Sequence, residues 1–263
     1  MTDDRPDASP LKSPVALVVP CFNEAARLDV QTFACFELPK RSIQIYFVDD
    51  GSTDGTAATL DGLARARPGR VRVLRLASNR GKGEAVRQGL LAALDAGAGY
   101  VGYWDADLAT PLDELEGFCR LLDERPELEL VLGARVQMLG RAIDRRPLRH
   151  YYGRVFATVV SRMLRLPVYD TQCGAKLLRA SPRLHAALRE PFVTRWLFDV
   201  ELLLRYGAVL SAEGLALSDR VYEQPLRAWR DVPGSKVSLR DAALVTRDLR
   251  RIARRYHAEL ASR

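Results

Sequence analysis

Two carboxylates two residues apart, Asp105 and Asp107, stand directly after the apolar run Tyr100–Trp104. At that spacing, beyond a strand, they can reach one hard cation and the diphosphate it binds. Mg²⁺ and Mn²⁺ take oxygen ligands, and phosphate supplies most of them. A plainer explanation is helix capping, since Thr110-Pro111 has the form of an N-cap followed by a first-turn proline. An isolated Asp-X-Asp is common by chance; its place at a strand end gives this one weight.

A second acidic pair, Asp49 and Asp50, opens Asp49-Asp-Gly-Ser-Thr-Asp-Gly-Thr56 at the end of another apolar run. A turn accounts for Gly51, Ser52 and Thr53, with Thr53 or Asp54 capping the next helix. It does not account for two successive acids. A carboxylate there can accept hydrogen bonds from a nucleobase N–H or from ribose hydroxyls. Asn79-Arg-Gly-Lys-Gly-Glu-Ala85 lacks the spacing of a Walker loop, yet Lys82 and its glycines can bring charge and backbone N–H groups to phosphate. A solvated loop explains it nearly as well. Between Arg135 and Arg165 lie Arg141, Arg145, Arg146, Arg149, Arg154 and Arg162. Arginine suits bidentate phosphate recognition, although most of these fit a solvated face. Asp199 and Glu201, inside the apolar stretch Trp196–Leu203, require partners or a site.

These groups need a scaffold. Short apolar runs at Val15–Val19, Ile43–Val48, Val71–Leu76, Tyr100–Trp104 and Leu128–Leu132 read as strands covered on both faces. Helical patterns at Thr53–Ala66, Gly83–Ala96 and Pro111–Asp123 separate them, and another surrounds Tyr151–Leu164. Alternation of this kind predicts an α/β fold: a mainly parallel, Rossmann-like sheet with helices on both faces. Ligands bind such sheets beyond the carboxyl ends of the strands, where Pro20–Glu24, Asp49–Asp54 and Asp105–Asp107 should converge.

The chain has 263 residues, 48% hydrophobic, with a formal net charge of +7, enough for one large domain and a surplus that suits an anionic partner. Nucleic acid is disfavoured, because aromatics are 8% of residues and no nucleic-acid-binding motif is visible. The four cysteines form no CxxC pair, which fits a reducing cytosol. Residues 1–13 read as a polar, disordered lead, and no segment has the length of a bilayer span. From Leu239 onward Ala242, Val245, Leu249, Ile252, Tyr256 and Leu260 form an apolar helical stripe among Arg247, Arg250, Arg251, Arg254 and Arg255. Either the stripe packs on the domain, or it dips among acyl chains while arginines meet anionic headgroups. The expected division is thus 1–13, 14–238 and a basic amphipathic helix over 239–263.

Taken together, Pro20–Glu24, Val48–Thr56, Asn79–Gly89, Asp105–Pro111, Gly133–Val136, Asp170–Leu178, Trp196–Leu203 and Val232–Lys236 resemble family 2 glycosyltransferases of the dolichyl-phosphate glucosyl- and mannosyltransferase branch. The resemblance implies a GT-A fold, an inverting transfer, a divalent metal (Mg²⁺ or Mn²⁺), a nucleotide-sugar donor and a polyprenyl-phosphate acceptor. It implies that Pro20, Asn23, Glu24, Asp49, Asp50, Lys82 and Asp105 line the nucleotide-sugar site, and that Asp105 and Asp107 hold the metal. Asp107 and Arg135 then carry catalysis, with Arg135, Arg146 and Arg149 at the acceptor phosphate. Ala134 replaces a usual serine, and Ala109 removes one candidate metal ligand. The glucosyl-type motifs favour UDP-glucose over GDP-mannose. The implied location is the cytoplasmic inner face of a membrane, reached through an anionic lipid surface or a membrane-protein partner. A neutral sugar acceptor would instead need a base, with Asp170 or Asp199 as candidates, and a catalytically silent nucleotide-sugar-binding subunit is the non-enzyme alternative.

Overall fold

Runs that are apolar on both faces become the strands of one sheet. The computed structural model describes residues 12–144, 147–232 and 241–261, with the backbone alone at 147–152, 241–243 and 261. Strands β1 (Val15–Cys21), β2 (Ile43–Asp49), β3 (Val71–Arg75) and β4 (Tyr100–Trp104) are parallel in the order β3-β2-β1-β4. β5 (Leu130–Ala134) does not join β4 directly, and β6 (Ala142–Asp144) lies outside the main sheet. β7 (Ala175–Arg179) enters between β4 and β5, antiparallel to both. β8 (Val221–Pro225) is parallel to β5 and closes the seven-stranded sheet, while β9 (Ala228–Arg230) pairs with β6.

Side chains alternate between two cores. Leu17, Ile45 and Phe47 face Phe33 of α1 (Val30–Cys35), Leu60 of α2 (Thr56–Ala66) and Phe118 of a later helix. Val18, Tyr46 and Val48 face the opposite core, built on Val86 and Leu90 of α3 (Lys82–Asp95). Phe118 lies on α4 (Glu114–Glu124); α5 (Pro147–Leu164), α6 (Pro182–Leu188) and α7 (Phe198–Ala212) complete the central part of the chain. Helices therefore cover both faces, as the alternation predicts.

Several boundaries differ from expectation for local reasons. α2 starts at Thr56 because Asp54 Oδ1 accepts from the Thr56 N–H at 2.9 Å and from its hydroxyl at 2.5 Å. Thr110 is no N-cap: it is buried, its carbonyl accepts from the Trp104 indole at 2.8 Å, and α4 begins only at Glu114. α1 and α6 are too short to announce themselves by periodicity.

The C-terminal segment forms α8 (Asp241–Arg255) and α9 (His257–Ala261). Its apolar stripe turns inward: Ile252 and Tyr256 are buried, and Val245, Leu249 and Leu260 pack partly against the α3/α7 core. Of the two alternatives for the stripe, packing on the domain is the one seen at Ile252 and Tyr256, with Val245, Leu249 and Leu260 half-buried. The Tyr256 hydroxyl donates to Glu201 at 2.6 Å and accepts from Arg205 Nε at 2.7 Å, which pins the helix end to α7. Arg247, Arg250, Arg251, Arg254 and Arg255 remain exposed. Among the described residues no helix is long and apolar enough to cross a membrane.

Candidate active site

The three polar clusters that end β1, β2 and β4 meet at one edge and brace one another. The Asn23 N–H donates to Ser52 Oγ at 3.0 Å, and Asn23 Oδ1 accepts from the Thr53 N–H at 2.9 Å. Asp49 is spent on its own turn, accepting from the Ser52 N–H at 2.9 Å. Pro20 sits in β1 opposite Val48. The Glu24 N–H donates to Thr56 Oγ1 at 2.8 Å, and its carboxylate pairs with Arg27 at 2.5 Å. Its other oxygen, Oε2, is buried without a protein partner. An orphaned buried acceptor calls for a donor such as a ribose hydroxyl or nucleobase N–H.

Asp50 reaches the next loop. Its two oxygens accept from the Arg80 N–H at 2.7 Å and the Gly81 N–H at 2.8 Å. Burial raises its carboxyl above the usual range, with those two hydrogen bonds working against the rise. Gly81 has φ of 99° and faces Arg195, where a Cβ would stand 2.7 Å from that side chain. The loop that starts α3 is thus clamped from both sides, with Lys82 at its head.

The Lys82 ammonium lies 2.5 Å from Asp105 Oδ1. Burial opposes its charge, but Asp105, Asp199 and Asp107 outweigh that and raise its pKa. Asp107 accepts from the Ala109 N–H at 3.1 Å, and burial, then repulsion from Asp105, raises its carboxyl. A cation beside the pair would relieve both effects. Two hard carboxylates fit Mg²⁺ or Mn²⁺, provided that phosphate oxygens complete the shell. Among the described residues no group of three His, Cys, Asp or Glu side chains converges as a metal site.

β7 runs backwards, so the turn before it reaches this same edge. Asp105 N–H donates to the Gly174 carbonyl at 3.0 Å, and a Cβ on Gly174 would fall 1.9 Å from Asp105 Oδ2. Only glycine permits that approach. Four residues earlier Asp170 grips Arg135, the residue that follows β5, at 2.6 and 2.7 Å. Arg135 also lies over the Trp229 ring at 5.3 Å. Burial opposes its charge, while Asp170 holds its pKa well above the ordinary value.

Asp199 accepts from Lys176 Nζ at 2.5 Å and from the Tyr103 hydroxyl, and Lys176 also donates to the Cys173 carbonyl at 2.6 Å. Asp170 and Asp199, the candidate bases, are therefore both committed to cations. Glu201 binds Arg205, Tyr256 and the Val193 N–H. The sequence marked both acids as needing partners, and each has them. Thr171 Oγ1, Gln172 Nε2 and Thr194 Oγ1 are buried without protein partners, and sequence reasoning missed all three. Thr171 and Gln172 lie in the motif Asp170–Leu178, which hinted at them, while Thr194 lies outside every motif singled out in the sequence. Arg146 lies outside the described residues; Arg149 falls in α5, whose side chain at that position is not described.

The model of Glycosyl transferase family 2 matches residues 16–183, which contain every one of these carboxylates except Asp199 and Glu201. This chain belongs to glycosyl transferase family 2. Among its relatives, the dolichyl-phosphate beta-glucosyltransferase of Drosophila melanogaster is 32% identical over 244 residues, covering 85% of this chain and 69% of that one. The enzyme of the same name from Dictyostelium discoideum is 30% identical, covering 92% and 74%. The polyprenol monophosphomannose synthase of Mycolicibacterium smegmatis is 31% identical over 62% of this chain and 60% of its own. As a family 2 fold the architecture is GT-A. It matches mannosyl-3-phosphoglycerate synthase of Rubrobacter xylanophilus with TM-score 0.64 at 19% identity, covering 94% and 75%. It also matches glucosyl-3-phosphoglycerate synthase of Mycobacterium tuberculosis, solved with Mn²⁺ and UDP-glucose, with TM-score 0.63 at 17% identity, covering 95% and 80%.

Proposed function

We propose that this family 2 enzyme is an inverting hexosyltransferase moving glucose from UDP-glucose onto a polyprenyl or dolichyl phosphate at a membrane surface. One observation carries the proposal. An acidic pair and a half-buried arginine occupy strand ends on either side of β7, in a chain whose relatives over most of its length are named dolichyl-phosphate beta-glucosyltransferases.

Glu24, with its orphaned Oε2, and Asp50 would serve the nucleoside, and Lys82 the diphosphate. Asp105 and Asp107 would hold Mg²⁺ or Mn²⁺, which when bound offsets charge on the leaving nucleoside diphosphate. The nucleophile is an acceptor phosphate oxygen, ionised at neutral pH, so no general base is needed. The engagement of Asp170 by Arg135 and of Asp199 by Lys176 supports that mechanism over a neutral hydroxyl acceptor. Arg135, steadied by Asp170, offers Nη1 to the acceptor, and catalysis rests on aligning that anion with the anomeric carbon.

A donor screen with short-chain polyprenyl phosphate and Mn²⁺ tests the assignment. Glucosyl transfer from UDP-glucose is expected, and its absence with every lipid phosphate would refute the acceptor. Transfer from GDP-mannose alone would select the second reading, which the mannose synthase relative favours. Neither transfer nor donor hydrolysis would indicate a silent binding subunit.

Arg135→Lys keeps the charge but loses the planar fork, both to Asp170 and to the acceptor. KM for polyprenyl phosphate should rise at least about tenfold while UDP affinity changes little. Lost UDP affinity with intact acceptor use would move Arg135 to the donor site.

The exposed arginines of α8 support peripheral contact with an anionic cytoplasmic leaflet by charge alone, since the stripe beneath them packs on the domain. Each contributes about 1 kcal/mol near such a surface, screened by salt. Replacing Arg250, Arg251 and Arg254 by Glu should weaken low-salt co-sedimentation with phosphatidylserine vesicles by about 100-fold or more. Unchanged sedimentation would shift the contact to another surface or to a membrane-protein partner.

A further inference from the structure

The contact between Lys82 and Asp105 has a fixed side and a movable side. Asp105 cannot retreat, because its N–H is bonded to the Gly174 carbonyl and the Gly174 Cα backs its carboxylate. The backbone of Lys82 cannot retreat either: Asp50 holds Arg80 and Gly81 on one flank, and on the other a Cβ at Gly83 would meet Phe198 at 2.8 Å. What can move is the four-carbon stem of Lys82. Its ammonium lies 5.8 Å from the Trp196 ring, which is 46% exposed and offers a cation–π surface to an ammonium that leaves Asp105. A divalent cation held by Asp105 and Asp107 would draw on the same carboxylate that Lys82 now contacts at 2.5 Å. Two cations cannot share it closely without repulsion.

We propose that Lys82 is a tethered counter-ion that competes with the divalent cation for Asp105 and yields it when a diphosphate arrives. The inference rests on the assignment of Asp105 and Asp107 to the metal. A diphosphate brings several anionic oxygens, so the ammonium exchanges one carboxylate for phosphate while the metal takes the carboxylate. Metal and nucleotide then enter as a pair, and each binds poorly alone. The coupling is reciprocal, because whatever strengthens metal binding by the nucleotide strengthens nucleotide binding by the metal equally.

The test is Mn²⁺ titration of the full chain, followed by the electron paramagnetic resonance signal of free Mn²⁺, with and without UDP. Lys82→Met removes the competitor and keeps the apolar stem. Without UDP it should bind Mn²⁺ about tenfold more tightly than the parent. With UDP that advantage should vanish or reverse, because the phosphate contact is lost too. Lys82→Arg keeps the charge and should bind Mn²⁺ alone as weakly as the parent. Circular dichroism establishes that the variants fold. If folded Lys82→Met binds Mn²⁺ alone no better than the parent, while both bind it with UDP, the competition is overturned and the metal site stands. If neither binds Mn²⁺ even with UDP, the competition and the metal assignment fall together.

Discussion

Asp107→Asn is expected to abolish hexosyl transfer, by about 100-fold or more, while the urea midpoint stays near that of the parent. The substitution keeps the volume and the acceptor that holds the Ala109 N–H, at 3.1 Å in the parent, so the loop has little reason to move. What it removes is one of the two charges proposed to hold the metal and the departing diphosphate. Asp107→Ala removes the loop hydrogen bond as well and should cost at most about 1 kcal/mol more in stability. The measurements are transfer from UDP-glucose at saturating Mn²⁺ and a denaturation curve. A folded Asp107→Asn enzyme with near-normal turnover would end the metal assignment.

Lys176→Met should act on stability. Lys176 is 1% exposed and makes its ion pair with Asp199 in the core between β4, β7 and α7. Removing one member of a buried pair leaves the other charge uncompensated, which costs about 3–5 kcal/mol. Whole domains are stable by only about 5–15 kcal/mol, so the loss should bring unfolding into reach of mild denaturant. The Tyr103 hydroxyl and Asp199 remain bonded but cannot neutralise the carboxylate. Adding Asp199→Leu should recover part of the loss, because an apolar pair replaces an orphaned ion. Urea midpoints of parent, single and double variants decide it, and a single variant as stable as the parent would show that Asp199 tolerates its charge alone.

The parts of this enzyme legible in sequence were those governed by local periodicity and by strand-end position. Val15–Cys21, Ile43–Asp49 and Tyr100–Trp104 are apolar on both faces, which announces a covered parallel sheet and aims the acids at one edge. Less legible was what arrives from far along the chain. Nothing in Ala175–Arg179 says that the strand runs against its neighbours, because direction is a property of connections and not of composition. The fit of Gly174 against Asp105 was hidden for the same reason, being a contact across 69 positions that only the sheet order creates. Asp199 illustrates the limit. Its apolar setting revealed that it needs a partner, but Lys176, 23 residues away, could not be chosen among many cations. The terminal helix was ambiguous because one apolar stripe serves a domain or a bilayer equally well, and Ile252 and Tyr256 decide it only once packed.

The reversed strand also sets an order of assembly. β3, β2, β1 and β4 are contiguous in the sheet and come from the first 104 residues, so a growing chain can pair them as soon as they emerge. β5 follows at 130–134 but has no edge to join, since its place beside β4 belongs to a strand not yet made. It must wait until residues 175–179 have arrived and docked on β4. Non-local pairings of this kind are slow and leave apolar edges open meanwhile. During synthesis, then, the half carrying Asp50 and Asp105 matures first, and Arg135 is delivered late. A ribosome stalled between the two would hold a nascent chain with a four-stranded parallel sheet and an uncapped β4 edge, a natural client for a chaperone.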